Sequence, residues 1–169
     1  RDQHKVIRKS LQSGSNALTI VAGTGNTGAS ATELHEPRGI FVDTNLDLYV
    51  ADYSNDRIQR FRSGQLDGIT VAGSASLPAT IALNHPTAVV LDADGYLFIV
   101  DSWNDRVVGS GPPGFRCVVG CSGAGAGAGA GGSASNRLQN PSSLSFDSDG
   151  NMFVTDYSND RIQKFSLSA

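Results

Sequence analysis

The octapeptide Asp52-Tyr53-Ser54-Asn55-Asp56-Arg57-Ile58-Gln59 returns unchanged as Asp156-Tyr157-Ser158-Asn159-Asp160-Arg161-Ile162-Gln163. A third version, Asp101-Ser102-Trp103-Asn104-Asp105-Arg106-Val107-Val108, lies between them. Asp52 and Asp101 are 49 residues apart, and Asp101 and Asp156 are 55 apart. The same two intervals separate Pro37, Pro86 and Pro141, and again Arg57, Arg106 and Arg161. Three kinds of anchor locked to one pair of offsets mark an internal repeat, and a repeat decides the architecture.

Outward from the octapeptide, each repeat reads in one order. Leu34-x-x-Pro37, Leu83-x-x-Pro86 and Leu138-x-x-Pro141 open it. A short apolar run ending in Asp43, Asp92 or Asp147 follows, then a turn, then a second run ending in Asp52, Asp101 or Asp156. A polar turn leads to the run beginning at Arg57, Arg106 or Arg161. Ile69 to Gly73 and Cys117 to Gly120 close the first two units. The runs are short, rich in β-branched and aromatic residues, and bounded by Gly, Asn and Asp, which is the pattern of strands. No helical period is sustained. Four short strands in about 40–50 residues predict a propeller blade. Lys5 to Arg8 and Thr19 to Gly23 match the third and fourth strands of a blade whose first two are missing, giving thirteen expected strands.

The chain has 169 residues, with 13 Lys plus Arg against 16 Asp plus Glu. That balance carries no electrostatic footprint for nucleic acid or an anionic membrane. No apolar run reaches the roughly 18 residues of a membrane span. Two Cys are too few for a disulfide-dense scaffold. The chain opens with Arg1 and no signal-peptide pattern follows, so the numbering is expected to start inside a longer protein.

These units resemble NHL repeats. Pro37-Arg38-Gly39-Ile40-Phe41-Val42-Asp43, Leu48-Tyr49-Val50-Ala51-Asp52 and Asn55-Asp56-Arg57-Ile58-Gln59 follow the family pattern nearly throughout, and Asn159 to Gln163 repeats its last part. The resemblance implies an all-β fold, a β-propeller of NHL type. The chain would hold an incomplete arc of two full four-stranded blades plus two partial ones. Residues 1–30 read as the second half of a preceding blade with its linker. Residues 31–80 and 81–120 read as blades, 121–136 as a Gly/Ala-rich loop, and 137–169 as a blade lacking its last strand. NHL propellers usually close with six blades, or about 290 residues at this repeat length. The missing blades are expected from the same parent chain, with closure by dimerisation the less favoured route.

Several motifs invite chemical readings. Asp92-Ala93-Asp94-Gly95 and Asp147-Ser148-Asp149-Gly150 look like the start of a calcium loop but lack the distal ligands such a loop needs. A hairpin turn explains why they recur in register. In the first repeat Leu46 stands where the others have Gly, so a different backbone, or Asn45 in the left-handed position, is expected. The Gly-rich stretch Gly23 to Gly28 lacks the following helix that a phosphate cradle requires. A zinc-dependent amidating lyase shares this type of propeller. Here His35 and His85 are offset by one position against their prolines, Asn140 replaces a third, and His4 offers no matched ligand. No metal and no cofactor is therefore expected. Cys117 and Cys121 would lie about 13 Å apart on a straight strand, beyond disulfide reach; a bend at Gly120 would bring them together. Both outcomes are open, and a bridge would favour an oxidising compartment.

Asp52, Asn55, Arg57 and their counterparts Asp101, Asn104, Arg106, Asp156, Asn159 and Arg161 recur in every unit. That argues for a structural turn rather than a triple active site. The aspartates are expected to bond the turn backbone and the arginines to lie against a neighbouring blade. Propellers bind through loops at one end. Those loops carry His35, Glu36, Arg38, Tyr53, His85, Thr87, Trp103, Asn140 and Tyr157. Trp103 replaces Ser54 and Ser158, and is read either as a partner anchor or, preferably, as packed on the next blade. The favoured function is a non-enzymatic module binding protein or peptide on this face. The alternatives are an RNA-binding or ubiquitin-ligase substrate-recognition domain, or part of a propeller enzyme. The mixture of Arg38 with Glu36, Asp56, Asp105 and Asp160 is a poor surface for RNA, and the Cys/His clusters of a ring finger are missing from these residues.

Overall fold

The computed structural model describes residues 3–11, 17–74, 80–121, 129 and 131–166. Among them are thirteen strands in four antiparallel sheets. β1 (Val6–Lys9) and β2 (Leu18–Ala22) form a two-stranded sheet. β3 (Pro37–Val42), β4 (Leu48–Asp52), β5 (Arg57–Phe61) and β6 (Gly68–Ala72) form a complete blade. The next blade comprises β7 (Pro86–Leu91), β8 (Leu97–Asp101), β9 (Arg106–Gly109) and β10 (Arg116–Val119). β11 (Pro141–Phe146), β12 (Met152–Asp156) and β13 (Arg161–Phe165) form the last sheet. The recurring anchors fix the register. Pro37 faces Asp52, Pro86 faces Asp101 and Pro141 faces Asp156, each followed by a register shift. Proline has no N–H to give a ladder, so it sits at the first residue of each inner strand.

The core lies between blades, not within them. Tyr49, Ala51 and Ile58 of one sheet pack on Val89, Ile99 and Val108 of the next. Phe98, Val100 and Val107 then pack on Leu144, Met152 and Val154. Each sheet therefore needs a neighbour on both faces, as stacked repeats do. The equivalent residues Ile40, Val89 and Leu144 show the consequence. Val89 and Leu144 are 2% and 5% exposed beneath a preceding blade, whereas Ile40, fronted only by the β1–β2 pair, is 53% exposed. At the other end Ile162 is exposed where Ile58 and Val107 are fully buried. An apolar cavity of about 320 Å³ lined by Val6, Val21, Ile40, Val42, Leu48 and Phe61 marks the uncovered front face.

The first-to-second-strand turns are hairpins built on one aspartate each. Asp92 Oδ1 accepts the N–H groups of Asp94 and Tyr96, and Asp147 Oδ1 those of Asp149 and Asn151. Asp43 Oδ1 does the same for Asn45 and Asp47. The expectation of a different first turn is corrected. Leu46 itself takes φ +64°, beside +82° at Gly95 and +78° at Gly150. Asp43 imposes the same backbone, and Leu46 tolerates it with its side chain exposed. Cys117 and Cys121 are bridged, their Cα atoms 5.8 Å apart across the left-handed Gly120. Most of the Gly/Ala tract, residues 122–128 and Ala130, lies outside the described residues.

Candidate functional site

Three 3-10 turns, Tyr53–Asn55, Ser102–Asn104 and Tyr157–Asn159, join second to third strands at one end of the sheets. Beneath each lies the same buried network. Oδ1 of Asp52, Asp101 and Asp156 accepts the backbone N–H of His35, Asn84 and Gln139 at 2.6–2.7 Å. Oδ2 accepts from Asn55, Asn104 and Asn159, and from Nε of Arg57, Arg106 and Arg161 at 2.7 Å. The aspartates thus secure the loop leading into the first strand and the turn's side chains, rather than the turn backbone as expected. The arginines turn back onto that same loop instead of onto a neighbouring blade. Arg57 donates to the carbonyls of Ala29, Ser30 and Glu33, and Arg161 to those of Ser133, Ala134 and Arg137.

Burial separates the copies electrostatically. Burial raises the Asp101 carboxyl above its ordinary value, against the lowering pull of Asn104, Asn84 and Arg106. Burial also pushes Asp156 upward, but donors from Gln139, Asn159, Arg161 and Gln163 outweigh it and hold that carboxyl below its ordinary value.

A second repeated contact joins blade to blade. The residue closing each 3-10 turn takes a left-handed conformation, φ 50–51° at Asp56, Asp105 and Asp160. Asp56 Oδ1 accepts the N–H of His85 at 2.7 Å, and Asp105 Oδ1 that of Asn140 at 2.8 Å. His4 fills the same role in the partial first sheet, its Nδ1 accepting from Glu36 N–H at 3.2 Å. The recipients Glu36, His85 and Asn140 all precede a proline and all have positive φ. Such a backbone costs on the order of 1 kcal/mol and gathers at functional surfaces.

Each of those recipients meets the middle residue of its own 3-10 turn, eighteen residues later. Glu36 accepts from Ser54 Oγ at 2.9 Å, and Asn140 donates to Ser158 Oγ at 3.1 Å. In the central blade the pair is aromatic: the His85 and Trp103 rings stack with centroids 4.0 Å apart. Tyr53 meets the His85 ring edge-on at 4.5 Å, and the Arg38 guanidinium covers Tyr53 at 3.5 Å. Arg38, Tyr53, His85 and Trp103 therefore form one ladder across two blades. Trp103 lies on His85 rather than on the next blade as expected, and remains 58% exposed. Tyr157 is exposed on the last turn. Thr87 points inward, its hydroxyl donating to the Pro141 carbonyl at 3.3 Å. The roles of Asp56, Asp105 and His4 escaped sequence reasoning, although His4 precedes Lys5 as Asp56 precedes Arg57.

His4 and His35 lie edge to face at 5.5 Å, while His85 is taken up by Trp103, Tyr53 and an Nδ1 contact to Asn84 Oδ1 at 2.7 Å. Among the described residues no three His, Cys, Asp or Glu side chains converge as metal ligands. The donors present do not fit the zinc centre of an amidating lyase, which needs three protein ligands.

No curated protein matches this chain in sequence. The chain is similar in structure to a Bacteroides thetaiotaomicron protein of unknown function, with a TM-score of 0.73 at 14% identity, over 98% of this chain and 42% of that one. An auxiliary nutrient binding protein from the same organism gives 0.69 at 16% identity, over 98% and 43%. Virginiamycin B lyase from Staphylococcus aureus gives 0.55 at 13% identity, over 99% and 50%. The chain thus spans half or less of the length of each, and at these identities the likeness is one of fold. The NHL repeat profile matches residues 34–61 and 138–165, which include the first and last of the three Asp–Asn–Arg networks. With four sheets stacked in repeat order and neighbours that are propellers, the chain carries NHL repeats at these two stretches within a β-propeller fold, of which it forms an incomplete arc.

Proposed function

We propose that this arc is a binding module without catalytic activity, presenting its loop face to a protein or peptide. The observation that carries the reading is the pair of positions repeated at an offset of eighteen. The frame beneath is the same in all three blades, while the exposed pair changes from Glu36–Ser54 to His85–Trp103 to Asn140–Ser158. A surface whose support is constant and whose side chains differ is what selective recognition requires. An exposed Trp is a common anchor for a partner. The fold neighbours include a nutrient-binding protein as well as a lyase, so they are compatible with binding without choosing it. The uncovered faces at Ile40 and Ile162 support completion of the propeller by further blades of a longer chain.

The test is a tiled peptide array probed with the chain and with a His85→Asn/Trp103→Ser double variant. That variant installs the Asn140–Ser158 pair in the central blade, so its frame is already present in the molecule. Peptides that bind the parent chain and lose the variant are expected. Binding indifferent to the exchange, or turnover of a lactone or streptogramin panel that depends on His85, would overturn the reading.

A further inference from the structure

The ladder has one free rung. One face of the Trp103 indole lies on His85, nearly parallel at 18°, and the residue is largely open to solvent. The other end of the ladder shows what this row accepts: a guanidinium, that of Arg38, over the Tyr53 ring. Indole is the strongest of the aromatic faces for a cation.

The charges around the ladder point the same way. Arg57, Arg106 and Arg161 are committed to the buried aspartates. Arg38 keeps its positive charge at the far end of the ladder, over Tyr53. Asp56 Oδ1 lies 3.6 Å from His85 Nδ1, and Asp105 follows Trp103 by two residues on the same turn. Each uses Oδ1 to hold the next blade, and among the described residues the Oδ2 of each has no hydrogen-bonded partner. Glu36 and Asp160 add negative charge along the same row of loops. An anionic ligand would meet like charge there, and a neutral ring would leave those carboxylates unused.

We propose that the open face of Trp103 is the seat of an arginine side chain from a basic partner peptide, its guanidinium stacked on the indole within the field of the Asp56 and Asp105 carboxylates. This rests on the binding-module reading and names the ligand class of that site. A guanidinium suits the place better than an ammonium, because it is planar, stacks, and reaches a carboxylate with the same group.

Trp103 is the only tryptophan of the chain, so its fluorescence reports this site alone. The chain is titrated with acetylated, amidated peptides of alternating glycine and arginine, with lysine and glutamate versions for comparison, and heats are measured in parallel. A saturable change with the arginine peptide is expected, weaker with lysine and missing with glutamate. Trp103→Ser, the side chain used by the other two blades, should weaken binding about twofold to thirtyfold, the range for a cation on an aromatic face. Asp105→Asn keeps an oxygen for Asn140 N–H and should weaken binding less, with a flatter salt dependence. Arginine-peptide binding that Trp103→Ser leaves intact overturns the inference. So does a preference for neutral or acidic peptides that Trp103→Ser abolishes, an outcome that keeps the module reading. No binding of any peptide class, by fluorescence or heat, overturns both.

Discussion

Arg57 and Arg161 make matched sets of four hydrogen bonds, one to an aspartate and three to carbonyls of the preceding loop. They differ in burial: the Arg57 side chain is 5% exposed and the Arg161 side chain 30%. Replacing each by Met keeps most of the aliphatic stem and removes the same bonds. At position 57 the carboxylate left behind is fully buried, so Asp52 loses its counterion where water cannot replace it, and three carbonyls lose their donor. Breaking a buried pair by removing one partner costs about 3–5 kcal/mol. At position 161 water replaces part of the set, and a loss of about 1–2 kcal/mol is expected, nearer the value of a partly solvated charged hydrogen bond. Urea unfolding of both variants, followed by circular dichroism and by Trp103 fluorescence, gives the two losses. Equal losses, or a larger one at Arg161, would refute burial as the amplifier and leave bond number as the determinant.

Three further outcomes follow from other parts of the fold. Leu46→Gly should stabilise the chain by about 1 kcal/mol, raising Tm by about 2–4 °C, because it removes a left-handed leucine whose side chain is exposed; an unchanged or lower Tm in calorimetry counts against the turn geometry. Gly39→Ala should cost about 1–3 kcal/mol in urea unfolding, since a Cβ there would fall 2.5 Å from the Thr87 carbonyl oxygen and 2.7 Å from Ala88 Cα of the neighbouring inner strand. Asp156 has a folded-state pKa below its unfolded value of 3.8, so its ionised form stabilises the chain above that value and the benefit is lost as pH falls through the lowered one. The stability gap between the parent chain and Asp156→Asn should therefore be level near neutrality and narrow below about pH 4; a gap that widens in acid would reverse the assigned direction.

The sheets were legible because three kinds of anchor recur in one register, and a blade needs each of them. Proline marks where an inner strand begins, aspartate where the second ends, and arginine where the third begins. What these groups hold was not legible, because their partners are main-chain atoms. The carbonyls bound by Arg57 belong to Ala29, Ser30 and Glu33, three side chains with nothing in common. Leu46 misled for a related reason. Sequence shows a leucine in place of glycine, while the turn is dictated by Asp43 and an exposed side chain tolerates the strain. The Trp103–His85 stack did have a signal, the offset of eighteen shared with Glu36–Ser54 and Asn140–Ser158. It is visible only when unlike chemistries are compared as one structural pair.

The link between blades takes a main-chain N–H from Glu36, His85 and Asn140 and asks nothing of their side chains. Architecture and surface chemistry are therefore written in separate alphabets, one in backbone and the other in side chains. Positions 36, 54, 85, 103, 140 and 158 can change side chain without losing that link, provided 36, 85 and 140 keep residues that accept a left-handed backbone. The frame thus leaves the chemistry of its loop face open to change while the stacking of its sheets stays fixed.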